Sequence, residues 1–443
     1  MKKPPYNNPA DFRIAIIGGG ASGLSACYEL NKRGFNVDLY EKSNKLGGIA
    51  GSVLLSKGSI DAFYHHLFES DKYILDFLKA ENLDHTIKFK RTTTGHIWNK
   101  KYYDISSLIL FKKSNLLSLW GFIRFLIGGI IIKYIPTSKK NNNIPIDKNI
   151  KNLFGNEASI KIWEPLLVSK FGKYSTFIPY SWLKTRIQDR TIKLGYINNG
   201  FERIYEHISK SIKSSRIKIY KNAKIQNVIF SKDKKQLLIN GIHYDRAILT
   251  TPPKVNSNIL KDINYSSKRI EYIGAFCGII EFDKRPIPSY WLGIAESNQK
   301  KNACNYSEFL AAISYAELDE EWNKSGEPTW PLYLAGYCTK NEFNKYTKEQ
   351  WKSKMIKASI ELNSMSNIEK ISDKNVLNFK LSFAEYAQPI LSPKKDLHPD
   401  PESAKFCYFA NMHNIFPNDR GQNRAFFLGK KVANLIYNDL LDC

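Results

Sequence analysis

Apolar and polar positions change their period along this chain, and the changes mark its elements. Residues 12–17 (Phe-Arg-Ile-Ala-Ile-Ile) are a short β-branched run of the kind that makes a buried parallel strand. Residues 22–33 then carry helical spacing, and residues 37–40 return to a strand. Residues 72–82 predict an amphipathic helix ending near Asn82. Residues 158–171 predict a helix as far as Pro165, and residues 180–189 another. Beyond Gly200, Phe201, Ile204, Tyr205, Ile208 and Ile212 recur at helical spacing. Residues 217–220, 224–230 and 236–239 read as strands, and residues 245–249 as an apolar strand stopped by Thr250, Thr251 and a proline pair. Residues 289–379 are aromatic-rich and mixed, residues 404–443 return to strand, glycine turn and helix, and no segment repeats.

The first strand and helix enclose Gly18, Gly20 and Gly23, in the spacing G-x-G-x-x-G. Gly18 permits a tight turn, Gly20 lets backbone approach a pyrophosphate, and Gly23 lets the helix sit against the strand. The amides of Ala21 and Ser22 at the helix start would face the phosphates. Glu41 ends the second strand about 20 residues on, where a carboxylate takes a ribose hydroxyl. Lys42 follows, and then a second glycine pair, Gly47 and Gly48, which NAD binding does not need.

These motifs resemble the FAD-dependent amine oxidase and protoporphyrinogen oxidase-like flavoprotein superfamily, including an uncharacterised bacterial oxidoreductase group. The resemblance implies that the doublet loop follows the FAD diphosphate and ribityl chain. It implies an adenine contact at Val228 and a diphosphate contact at Thr251. It also implies a flavin contact near Asn411, Arg420, Gly421 and Asn423, where a C-terminal helix begins. On that helix Ala425, Gly429 and Ala433 form a stripe of small residues suited to close approach to a sheet or cofactor. Relatives have Gly-Asp where this chain has Asn411-Met412, and Asp-x-Gly-x-His where it has Asp61, Phe63 and His65. His65, His66 and Tyr386 are the candidate catalytic residues, one histidine facing the flavin as a proton carrier.

The implied architecture is α/β: a Rossmann-like FAD-binding domain, a parallel sheet with helices on its faces, plus an inserted α+β substrate domain. Residues 1–95, 196–265 and 400–443 would form the first, and residues 96–195 and 266–399 the second. The expected enzyme is an FAD-dependent oxidoreductase taking a hydride from a C–N or C–C unit of a small organic molecule: an isoprenoid, a porphyrinogen or an amine. Two rivals share the fold. One is a redox-neutral mutase resembling UDP-galactopyranose mutase. The other is a non-catalytic prenyl-protein binder resembling GDP-dissociation inhibitors, against which Glu41 and the glycine doublet argue.

Composition adds boundaries. At 443 residues, more than one domain is expected, and a 43% hydrophobic share suits a globular chain. The net charge of +24 comes with lysine spread along the sequence and no aromatic-interleaved basic stripe, so no nucleic-acid partner is expected. Lys170, Arg186 and Arg190 could bind an anionic substrate. The six cysteines form no C-x-x-C pair, which points to a reducing compartment and no metal site. Residues 1–10 lack the character of a signal peptide. Residues 116–135 are apolar for about the length of a span, but Arg124 sits mid-way and Gly128-Gly129 interrupts them. A buried or surface-lying helix is expected, in a cytoplasmic protein with peripheral contact to the inner face of a membrane as the alternative. Residues 139–143 read as an exposed polar loop.

Overall fold

Alternation along the first strand decides how the chain folds around it. The computed structural model describes residues 8–135, 144–212, 214–261, 263, 265, 270–295, 304–390, 404 and 406–441. The expected 139–143 loop lies outside them. β1 (Arg13–Ile17) is followed by α1 (Ala21–Lys32) and β2 (Asn36–Tyr40). β3 (Ile217–Tyr220), β4 (Arg246–Leu249) and β5 (Cys407–Phe409) complete a parallel sheet of order β3-β2-β1-β4-β5. Ile14 and Ile16 pack with Leu24, Val37, Leu39 and Val432 on one face, while Ala15 and Ile17 pack with Tyr40, Val228 and Leu249 on the other. Successive residues point to opposite faces, and both faces are covered, so the strand is apolar throughout.

Three further layers stand against this sheet. A hairpin unit, Val228–Ser231, Gln236–Ile239 and Ile242–Tyr244, covers one face. α2 (Lys72–Ala80), α8 (Glu202–Ser211) and the C-terminal α9 (Gln422–Leu441) pack with α1 on the other. The second large sheet has seven strands, drawn from Thr94–Asp104 and Tyr272–Pro389. The strand Thr94–Trp98 therefore straddles the expected boundary after residue 95.

A helical layer stands beside it: α3 (Leu108–Lys113), α4 (Leu119–Tyr134), α5 (Ile146–Ala158), α6 (Glu164–Phe171) and α7 (Tyr180–Asp189). Pro165 does not end a helix, as its ring had suggested. It sits in the first turn of α6, where its missing N–H costs nothing. The expected strand 224–230 shortens to Val228–Ser231. Residues 223–227 are irregular, with Ala223 N–H donating to Glu41 O at 2.8 Å.

Candidate functional site

The glycine turn after β1 is tightly built. Gly18 has φ +107°, and a Cβ there would lie 2.3 Å from Thr250 Oγ1. Thr250 Oγ1 donates to Ile17 O (3.0 Å) or Gly18 O (3.1 Å), locking the turn to the end of β4. A Cβ on Gly23 would meet Gly18 O at 2.0 Å, so α1 lies hard against the turn. Gly20 is different. Its φ is −78°, and a Cβ there would find no atom within 4 Å. It is the N-cap of α1 and no side chain caps that helix. Open space therefore faces a free helix N-terminus, the arrangement that receives a diphosphate. Ala21 and Ser22, half-buried, begin the helix.

The second glycine loop rests on the first. Gly47 N–H donates to Gly19 O at 2.8 Å, and Gly20 and Gly47 form a parallel bridge. Gly47 (φ +98°) and Gly48 (φ +62°) both adopt left-handed backbone. The Glu41 carboxylate is buried beneath and accepts from Gly19 N–H and Ser43 N–H, both at 2.8 Å. It braces the turn and keeps lone pairs for a ribose hydroxyl. Lys42 is exposed. Tyr205, which the sequence marked only as an apolar position of α8, joins doublet and C-terminal helix: a Cβ on Gly47 would meet its ring at 2.9 Å, and its hydroxyl bonds Gln422 Oε1.

Other expected cofactor residues divide. Thr251 bonds Asn256 through its hydroxyl, and its carbonyl accepts from the Asn411 side chain, which also reaches Leu249 O at 3.4 Å. Asn411 thus ties β5 to the end of β4. Val228 lies in the core, its strand flanked by Gln236–Ile239 and Leu260–Lys261, so its backbone edges face other strands. Asn423 is turned away: its Oδ1 accepts from Tyr73 N–H (2.8 Å) and Ile74 N–H (3.3 Å), capping α2. Gly421 is exposed with open space around it. The small stripe meets α1: a Cβ on Gly429 would lie 2.5 Å from Ser22 O.

The candidate catalytic groups gather against the seven-stranded sheet, whose Ile313 and Tyr333 share a space with Asp61 and His65 and whose last strand carries Tyr386. Asp61 is buried, accepts from Phe201 N–H at 2.9 Å, and has its carboxyl pushed well up by burial. His65 Nδ1 has no partner, and burial and Arg420 push the imidazole down to about 4. Asp61 and His65 line, with Tyr64, Tyr290 and Tyr333, a small space of about 10 Å³. His66 faces Tyr290 OH at 3.5 Å, and burial with Arg190 and Arg186 holds it at about 3. Both imidazoles are neutral at physiological pH, donors or acceptors rather than strong bases. Tyr386 lies on the strand Val376–Pro389, edge-on to Tyr272 at 6.0 Å. No hydrogen bond or ring contact joins it to either histidine among the described residues.

A cationic group lies alongside. Lys170 of α6 is 7% exposed, 4.6 Å from the Trp182 ring centroid and 3.5 Å from Asp419 Oδ2. Arg186 of α7 also pairs with Asp419, and Trp182 Nε1–H donates to Asp419 Oδ1 at 2.9 Å. Arg420 donates to Ala387 O at 2.7 Å and to Tyr337 OH. Asp419, the hub, had no signal of its own in the sequence.

Fold and site together define a dinucleotide-binding oxidoreductase whose cofactor is FAD: the open face at Gly20, the two interlocked glycine loops and the buried acid fit that dinucleotide. The chain belongs to the flavin containing amine oxidoreductase family, which residues 21–358 match. Coproporphyrinogen III oxidase of Staphylococcus aureus is 23% identical over 289 residues, 55% of this chain and 61% of that protein. The chain thus spans less than two thirds of that relative's length. Among solved structures, a putative protoporphyrinogen oxidase from Exiguobacterium sp. 255-15 superposes with TM-score 0.71 at 14% identity, covering 97% of this chain and 99% of that one. Reduced UDP-galactopyranose mutase superposes with TM-score 0.73 at 16% identity, covering 96% of each chain. At these identities the likeness is one of fold.

Proposed function

We propose that this chain is an FAD-dependent oxidoreductase that takes a hydride from a C–N or C–C unit of a small organic substrate. The observation that carries the proposal is the open, uncapped N-terminus of α1 at Gly20, closed over by the Gly47-Gly48 loop. FAD, when bound, would supply the hydride-accepting chemistry. The chain's own residues hold and orient. Glu41 and Thr250 fix the turn, and Tyr205 fixes doublet and α9 together. Neutral His65, with Nδ1 unpartnered, can hold a substrate N–H or O–H. The test is a visible spectrum of the purified protein, then anaerobic reduction with a panel of isoprenoid, porphyrinogen and amine donors. A folded protein that is colourless and takes up no added FAD would sink the proposal. Turnover of a sugar nucleotide only after prior reduction would favour mutase chemistry instead.

A peripheral membrane contact belongs to the same proposal. Among the described residues, no helix is long and apolar enough to cross a membrane. α3 and α4 nonetheless expose Leu108 (61%), Ile109 (69%), Trp120 (79%) and Tyr134 (73%), with Ile127 and Ile130 between them. Residues 105–135 contain no acid, and Lys112 and Lys113 flank this face. Arg124, which argues against insertion, reaches across to α5 and donates to Asn152 O at 2.6 Å. An apolar face with aromatic ends and basic flanks suits the surface of an anionic bilayer.

A further inference from the structure

We propose that the substrate carries an anionic group, carboxylate or phosphate, and that Lys170, Arg186, Arg190 and Arg420 receive it. This rests on the oxidoreductase proposal above and names the substrate class of that site. Three of these cations converge on one place: Lys170 and Arg186 share Asp419, and Arg420 is its chain neighbour. Asp419 is the one carboxylate they touch among the described residues. Both its oxygens are occupied, Oδ2 by the two cations and Oδ1 by Trp182 Nε1. Arg420 spends its donors on neutral acceptors, Ala387 O and Tyr337 OH. Arg190, at the C-cap of α7, has no acidic partner among the described residues, and the neighbouring Asp189 is taken by Arg424 at 2.8 Å.

A structural ion-pair network balances its charges, because burying an unpaired cation is costly. Here one carboxylate faces three buried or half-buried cations, Lys170, Arg186 and Arg420, with the exposed Arg190 at their edge, over a floor of Trp182 and Phe171 whose centroids are 4.6 and 5.4 Å from Lys170 Nζ. The excess is felt locally: Arg186, Arg420 and Arg190 join burial in holding the Lys170 ammonium well below the ordinary lysine range. An anion entering here would complete the balance. Guanidinium forks suit the paired oxygens of carboxylate and phosphate. Arg420 precedes Gly421 and α9 and acts on His65, while Arg190 and Arg186 act on His66, so an anion held by these cations would sit next to the candidate catalytic histidines. A protonated amine meets repulsion in the same place, which sets this chain apart from an alkylamine oxidase.

The test uses the FAD-saturated protein, so that the dinucleotide loop is filled and cannot report phosphate. Inorganic pyrophosphate, succinate and putrescine are titrated separately by calorimetry, with the flavin spectrum followed in parallel. Saturable, salt-sensitive binding of an anion is expected. Arg190→Gln and Arg186→Gln should each weaken it about tenfold with FAD content unchanged. Arg190 is exposed, so its loss leaves the fold intact. Preference for pyrophosphate assigns a phosphate-bearing substrate, and preference for succinate a carboxylate. Failure of both anions to bind, binding by both variants as tight as by wild type, or tighter binding of putrescine would each overturn the proposal. Failure to take up FAD at all would instead overturn the oxidoreductase proposal.

Discussion

Gly20 and Gly23 belong to one motif, yet the structure gives them different jobs. A side chain at Gly23 would collide with the Gly18 carbonyl at 2.0 Å, whereas one at Gly20 would point into open space at an ordinary φ of −78°. Gly20→Leu should therefore purify without FAD but fold with a melting temperature close to that of the wild-type apoprotein. Gly23→Ala should lower the melting temperature of the apoprotein itself, by several degrees. Paired thermal melts and visible spectra check both. Histidines give a second prediction at this scale. His96, buried and bonded to Lys161 O at 2.9 Å, is pushed down by burial to about 4, as His65 is, and His66 to about 3. Below pH 6.5 the unfolded chain takes up protons that these native imidazoles refuse. Stability should thus be full above pH 6.5 and fall as pH drops toward 4, at up to about 1.4 kcal/mol per pH unit for each histidine. Asp61, raised by burial, works in the opposite direction. Denaturant titrations of wild type and His96→Gln across that range measure the slope, and an equal slope in both would exclude His96 as a contributor. The glycines were legible because spacing and a missing side chain are properties of the chain itself. Asp419 was not, because its importance comes from partners brought together out of α6 and α7.

Elements were legible where period alone decided them. α1, α2 and α8 stand within two residues of expectation, and β1 is covered on both faces as its β-branched run implied. The misjudged ends have local causes: Pro165 opens a helix, and Ala223 bonds to Glu41 O while residues 224–227 stay irregular and join no ladder. The C-terminal helix shows how a correct pattern can have an unforeseen partner. The Ala425, Gly429 and Ala433 stripe suited close approach to a sheet or cofactor, but Gly429 packs on Ser22 and Ser25 of α1, with Ser25 Oγ donating to Phe426 O at 3.0 Å. Gly429→Leu should cost about 1–3 kcal/mol by overpacking and also weaken FAD, because it displaces α1, whose N-terminus we propose receives the diphosphate. Asn423→Ala should cost about 1 kcal/mol by uncapping α2 and leave the visible spectrum unchanged. A changed spectrum would return Asn423 to the cofactor.

At the scale of the whole molecule, charge and exposed apolar surface lie together on the helical layer. Trp120→Glu, on the exposed face of α4, should abolish sedimentation with vesicles containing anionic phosphatidylserine while preserving FAD. Equal sedimentation of both proteins, or none by wild type, would remove the membrane contact. Sequence length and the bare hydropathy of residues 116–135 could not separate a buried helix from a surface-lying one, since the distinction depends on which face α5 covers.

The order of the parallel sheet has a bearing on biosynthesis. β5 and α9 come from the last part of the chain, yet β5 lies beside β4, and α9 packs on α1 near the first glycine turn. A ribosome would have exposed α1 long before α9 emerged, leaving Leu24 and Ala26 without the helix that covers them in the finished protein. The apolar face of α1 is then closed late, and the half-made chain is the form that exposes it.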